Sequence, residues 1–152
     1  MEHNTDIFQS KTPMLDIRCV HLDFKGAPPT TERMLSLLDL LARARYNAIL
    51  AEWEDAFPWT VDLRFRSETA YTPDEIRAFY EKAASLNIEI IPLVQCLGHM
   101  ETPLKFPEYA RLREVPENAD ALNPLAEGAY DLVRGMVEDV LALLPNPRYF
   151  HL

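Results

Sequence analysis

The sequence holds only two cysteines and four glycines in 152 residues, and no basic cluster larger than the one at positions 64–66. Each scarcity excludes something. The two cysteines, Cys19 and Cys96, lie in apolar strand-like runs and read as buried free thiols of a protein from a reducing compartment. No Cys/His spacing has the pattern of a zinc site, so no metal is expected. No Gly-x-Gly-x-x-Gly follows the first apolar run, which disfavours a dinucleotide-binding fold. The net charge is −9 and the sequence pI about 4.9. With so little clustered basic charge, neither nucleic acid nor an anionic membrane is an expected partner. No apolar run approaches the roughly 18 residues of a membrane span. Positions 1–11 contain no apolar stretch of signal-peptide length, so the expected location is the cytoplasm.

What the chain does have is apolar content and alternation. Hydrophobic residues make up 48% of it, and its length suffices for one domain with a real core. Positions 1–14 are polar and read as an N-terminal arm; 15–152 read as the folded domain. A first strand is expected over 15–22, with Ile17, Cys19, Val20 and Leu22 as its apolar content. Thr30 or Thr31 then caps a helix whose buried stripe is Met34, Leu37, Leu38 and Leu41. A second short strand covers 47–51. Thr72-Pro73-Asp74-Glu75 has the form of a capping box with proline at the first helical position. The helix it opens carries Ile76, Phe79, Tyr80, Ala83 and Leu86. A third strand follows from Ile88.

Beyond Glu101 lies an irregular, proline-punctuated stretch, with a helical turn or two near 109–113. A last helix is expected over roughly 126–144, burying Tyr130, Val133, Met136, Val137, Val140, Leu141 and Leu144. Residues 148–152 open a fourth strand. Strands that alternate with helices in this way make a parallel sheet with right-handed crossovers. On pattern alone, a doubly wound sheet and part of an eight-fold barrel are both open.

Polar groups recur at one place, the C-terminal end of each strand, where parallel α/β folds build their sites. Asp23 and Lys25 follow the first strand. Glu52, Glu54 and Asp55 follow the second. The third, apolar from Ile88 to Val94, ends in Gln95, Gly98, His99 and Glu101. Gly98 is expected to make the turn from which His99 projects. Trp53, Phe57, Trp59 and Tyr71 accompany the carboxylates. Acidic groups beside aromatic rings suit a sugar, whose hydroxyls meet carboxylates and whose C–H face meets a ring; the same rings also read as core. His151 sits in an apolar run and reads as a buried structural residue.

These segments resemble the catalytic barrel of glycoside hydrolase family 20, the β-N-acetylhexosaminidases, and most closely its hexosaminidase D type. The resemblance rests on residues 21–29, 52–59, 71–76, 91–101, 112–115 and 122–124, in that order and spacing. It implies the first half of a (β/α)8 TIM barrel, four parallel strands alternating with helices. It also implies hydrolysis of terminal β-linked N-acetylglucosamine or N-acetylgalactosamine with retention. The sugar's own acetamido oxygen would be the nucleophile, without a cofactor. In that family the acid/base Glu and the acetamide-orienting Asp lie in a His-x-Gly-x-Asp-Glu motif after strand four. His151 and Leu152 match its first two positions, so both groups are expected past Leu152 and none of the principal catalytic residues is in this sequence.

The resemblance carries His99 over as the residue near the active site after strand three. It gives Glu54 or Asp55 as the acidic position after strand two, and Asp23 as the Asp closing strand one. Many relatives have Arg three residues after that Asp; here the position is Gly26, with Lys25 beside it. Glu52, Glu101 and His151 complete the set expected to bind or support substrate. The expected partner is a small N-acetylhexosaminide, with self-association through open strand edges. The 152-residue chain alone is expected to be inactive. The alternative is a sugar-binding or self-assembling half-barrel module that does not catalyse.

Overall fold

The computed structural model describes residues 12–152; most of the expected arm at 1–14 lies outside the described residues. Strands β1 (Cys19–Asp23), β2 (Ala48–Glu52) and β3 (Glu89–Leu93) form a parallel sheet in that order. Helices α1 (Thr31–Arg43) and α2 (Pro73–Ser85) make the crossovers. A third long helix, α4 (Ala129–Leu143), returns the chain to the free edge of β3. There His151 N donates to Pro92 O at 2.9 Å and Val94 N donates to His151 O at 3.1 Å. The expected fourth strand is thus present as a single parallel bridge between Leu93 and His151. A doubly wound sheet would place a strand out of sequential order; strictly sequential parallel neighbours are the arrangement of the first half of a (β/α)8 barrel.

The sheet has two unlike faces. Cross-strand register aligns Val20, Ile49 and Ile90, then Leu22, Ala51 and Pro92. These point to the helices, where Ile49, Ala51 and Ile90 join Met34, Leu38, Ile76 and Phe79 in the core. The opposite face aligns Cys19, Ala48 and Glu89, then His21, Leu50 and Ile91, then Asp23, Glu52 and Leu93. This is the barrel's inner face, and on β1 it is open, with Cys19, His21 and Asp23 all exposed.

The helices start where their caps say. Thr30 accepts from Arg33 N at the start of α1. Thr72 and Glu75 form both halves of a capping box at the start of α2, with Pro73 at the first position. Gly135, inside α4, has a different reason. A Cβ there would lie 2.8 Å from Val61 Cγ2, so the helix and the 57–61 loop meet where only a hydrogen fits. Asp139 completes this junction by accepting from Val61 N at 2.8 Å and from both the amide and hydroxyl of Thr60. Gly135→Ala is expected to destabilise by about 1 kcal/mol, although helix propensity favours alanine by about the same amount. In a Val61→Ala background the sign should reverse. Urea unfolding of the four variants checks this.

Several sequence expectations need correction. Regular pairing begins at Cys19, and Leu15 and Ile17 are exposed, because β2 has no residue opposite them. Cys19 is exposed and Cys96 half-buried; both are free, but neither is a buried core thiol. Cys19 falls on the open inner face rather than the packed one. On α4 the buried residues are Ala129, Leu132, Met136 and Val140. Met136 and Val140 are buried as expected, and Val133, Val137 and Leu144 pack against the core, but Tyr130 is 74% exposed and Leu141 36%, with Ala129 and Leu132 buried at the start of the helix instead. His151 is exposed; its backbone, not its side chain, serves the sheet. The stretch after Glu101 holds a short helix α3 (Glu101–Leu104), a 3-10 turn (Pro107–Leu112) and an antiparallel hairpin, β4 (Arg113–Val115) with β5 (Asn118–Leu122).

Candidate functional site

The carboxylates converge at the C-terminal ends of the strands. Glu52 is the last residue of β2 and is 8% exposed. Its Oε2 lies 2.7 Å from His21 Nε2 on β1, and its Oε1 accepts from Gln95 Nε2, just past β3. Glu54 follows in a 3-10 turn (Glu54–Ala56), with a left-handed backbone of φ 48°. The Trp59 indole N–H fixes that turn, donating to Glu54 O at 2.6 Å.

One cleft is lined by Glu52, Glu54, Trp59, Leu93, Gln95 and His99. Lys25, from the loop after β1, places its Nζ 3.5 Å from Glu54 and 3.4 Å from Glu101 at the start of α3. The Glu54 side chain is only 5% exposed, against 42% for Lys25 and 45% for Glu101. Burial pushes the Glu54 carboxyl up to about 7. Lys25 opposes that shift, while the charges of Glu52 and Glu101 add to it. Burial works against the charge on Lys25, but Glu54 and Glu101 outweigh it and hold the ammonium above its ordinary range. Glu101 sits below the usual carboxylate range: its own burial is outweighed by a backbone hydrogen bond, by Lys25 and by the charge of His99.

His99 is exposed in the turn after β3. The left-handed residue of that turn is His99 itself, at φ 55°, not Gly98. A Cβ on Gly98 would meet nothing within 4 Å, so the expected glycine requirement does not hold there; histidine is among the residues that tolerate this conformation. The hairpin braces the turn from below. Leu122 N donates to Leu97 O at 2.7 Å and Met100 N to Asp120 O at 2.9 Å.

The structure therefore separates the expected residues. Glu52, Glu54 and His99 line one cleft, and Lys25 pairs with Glu54 and with Glu101 beside it. Asp55 turns away, its Oδ1 accepting from Gly26 N at 3.1 Å, and so fastens the two loops together. Asp23 accepts from Lys25 N at 2.9 Å, within its own turn. His151 stands one strand further along, beside Leu93. The aromatic rings are core: Trp53, Phe57, Trp59 and Tyr71 are each no more than 5% exposed, the second of the two readings the sequence left open, and of the four Trp59 alone lines the cleft.

His21 was missed as a partner of the carboxylates. Alternation along β1 was the available signal, since His21 and Asp23 share a face and that face abuts Glu52. Among the described residues no group of His, Cys, Asp and Glu is arranged to hold a metal ion, and no helix is long and apolar enough to cross a membrane.

No protein-family model matches the chain. Hexosaminidase D of Bos taurus is 43% identical over 136 residues, 89% of this chain and 39% of the relative. Hexosaminidase D of Homo sapiens is 40% identical over 137 residues, 90% of this chain and 28% of the relative. The chain thus spans well under half the length of these curated relatives. Among solved structures, the family 20 exo-β-N-acetylglucosaminidase of Vibrio harveyi, in complex with N-acetylglucosamine, superposes with a TM-score of 0.74 at 21% identity, covering 93% of this chain and 27% of that one. The D313N mutant of Streptomyces plicatus β-hexosaminidase, in complex with its product GlcNAc, gives a TM-score of 0.75 at 22% identity, covering 92% and 32%. The chain is therefore similar, over about 90% of its length, to part of the hexosaminidase D proteins, and its fold is that of part of a glycoside hydrolase family 20 barrel.

Proposed function

We propose that residues 15–152 are the first half of the catalytic barrel of a β-N-acetylhexosaminidase, which removes terminal β-linked N-acetylglucosamine or N-acetylgalactosamine by substrate-assisted, retaining hydrolysis. The observation that carries this reading is the convergence of Glu52, Glu54 and His99 on one cleft at the strand C-termini, with Lys25 paired to Glu54 and Glu101 beside it, in a chain 43% identical to a hexosaminidase D. His99 and Glu54 are the residues that meet substrate. Glu54 takes the acidic position after strand two rather than Asp55, because Asp55 is occupied by the Gly26 amide. Lys25 supplies the cation on the side of the site where many relatives carry Arg. Asp23, Glu52, Glu101 and His151 support the site. On this reading the acid/base Glu and the acetamide-orienting Asp are not among residues 1–152 and are expected past Leu152. The two free thiols fit a reducing compartment such as the cytoplasm.

The gene product isolated from its native source should cleave a chromogenic N-acetyl-β-hexosaminide, and its intact mass should exceed 17.5 kDa. His99→Ala in that product should lower kcat/KM about 10²-fold or more if His99 contacts the reacting sugar. The 152-residue chain by itself should leave the substrate intact. Cleavage by the pure 152-residue chain at the rate of the native product would sink the reading, as would a native product that cleaves nothing.

A second reading has its own observation. The inner face of β1 is open and β1 lies at a sheet edge, which suits self-association of half barrels. Sedimentation of the 152-residue chain decides it: twice the monomer mass, persisting on dilution, supports a self-assembling module.

A further inference from the structure

Glu52 is flanked by two side chains, His21 and Gln95, to which the proposed hydrolysis gives no role. His21 on β1, Glu52 on β2 and Gln95 just past β3 give one side chain from each of three neighbouring strands. His21 Nε2 sits 2.7 Å from one Glu52 oxygen, and Gln95 donates to the other. A carboxylate can only accept, so the ring nitrogen that faces Glu52 carries the hydrogen. Glu52 is thereby gripped at both oxygens by side chains that need carry no charge.

That charge has a neighbour. Glu54 lines the same cleft, and its side chain too is buried. The groups acting on it are Lys25 from the loop after β1, Glu52 from β2 and Glu101 from α3; His99, from the turn after β3, lines the cleft and acts on Glu101. The negative charge of Glu52 is among the causes that keep a proton on Glu54 near neutrality.

We propose that His21 is a positioning residue for this cleft: by holding Glu52 in place as a fixed hydrogen-bond acceptor, it leaves Glu54 to act as the hydrogen-bond donor toward a hydroxyl-bearing ligand. The ligand class rests on the sugar reading above; the coupling of His21 to Glu54 through Glu52 does not. In the 152-residue chain, the Glu54 carboxyl carbon is followed by ¹³C NMR as pH is varied, with Glu54→Gln identifying its signal. His21→Leu removes the donor, so Glu52 is no longer held in place beside Glu54. The Glu54 midpoint should then fall by about one pH unit, a tenfold loss of proton affinity.

His21→Gln keeps an N–H within reach of Glu52 and should restore the midpoint. Glu52→Gln removes the charge directly and should give the same fall with His21 intact. Should His21→Leu fail to fold, His21→Asn, whose amide stops short of Glu52, takes its place. A Glu54 midpoint that stays put in the donor-less variant or in Glu52→Gln overturns the proposal, as does a shift that His21→Gln fails to restore. If instead the titrations behave as expected and the native gene product cleaves no hexosaminide, the positioning role stands and the ligand assignment falls.

Discussion

Replacing Trp53 with alanine is expected to destabilise the chain by about 3–5 kcal/mol, the usual range for removing a large buried aromatic side chain. Trp53 is fully buried and follows directly on β2. Its ring stacks on Phe24 at 4.6 Å and 7°, and meets Tyr71, Phe79 and Tyr80 edge-on at 5.6–6.2 Å. Those partners come from the loop after β1, the lead-in to α2 and α2 itself, so one indole holds three segments against the sheet. Alanine would leave a cavity that these rings cannot close without breaking their mutual contacts. A small domain is stable by only about 5–15 kcal/mol, and this one has an inner face that is open along β1. Urea unfolding, followed by circular dichroism, should show a midpoint lowered by a large fraction or a chain already unfolded in water. A loss below about 1 kcal/mol would mean that the aromatic cluster does not carry the fold. Because Trp53 lies between Glu52 and Glu54, the same substitution should also disorganise the cleft.

That position shows why the site was only partly legible in the sequence. Apolar periodicity marked β2 and β3, and the Thr72–Glu75 capping box marked α2, because those signals are local. The grouping of acidic residues at strand ends was also legible, since parallel sheets collect them there. What the sequence could not separate was neighbour from neighbour. Glu54 and Asp55 are adjacent and chemically alike; only the left-handed backbone at Glu54 and the Gly26 amide beside Asp55 decide which one faces the cleft. Trp53 and Trp59 resembled sugar platforms because nothing local distinguishes a core aromatic from a binding aromatic. The hairpin of β4 and β5 escaped because its strands are short and carry few β-branched residues. His21 was read as part of a motif, and its partner lies 31 residues away.

The sharpest consequence of the cleft is a pH dependence that Glu54 confers on folding. In the unfolded chain its carboxyl titrates at the ordinary value of 4.5, and in the folded chain at about 7. The folded state therefore binds more protons than the unfolded state between those values, and stability must fall as pH rises through that window. The stabilisation is fully present below pH 4.5 and is lost by the time pH passes the folded midpoint near 7. Burial of the carboxylate is the largest cause; Lys25 at 3.5 Å offsets it without removing it. Glutamine has the shape of the protonated acid and does not titrate. Glu54→Gln should therefore be close to neutral at pH 4.5 and more stable than the native sequence at pH 8, by about 2–3 kcal/mol. The comparison of the two proteins cancels groups that titrate alike in both. Thermal unfolding at pH 5, 6, 7 and 8 measures the widening gap between them. A gap that stays constant, or narrows, would show that Glu54 is charged throughout and that Lys25 compensates its burial completely. A gap that opens through pH 7 would place a carboxyl able to hold or give a proton near neutrality at the strand ends of this half barrel.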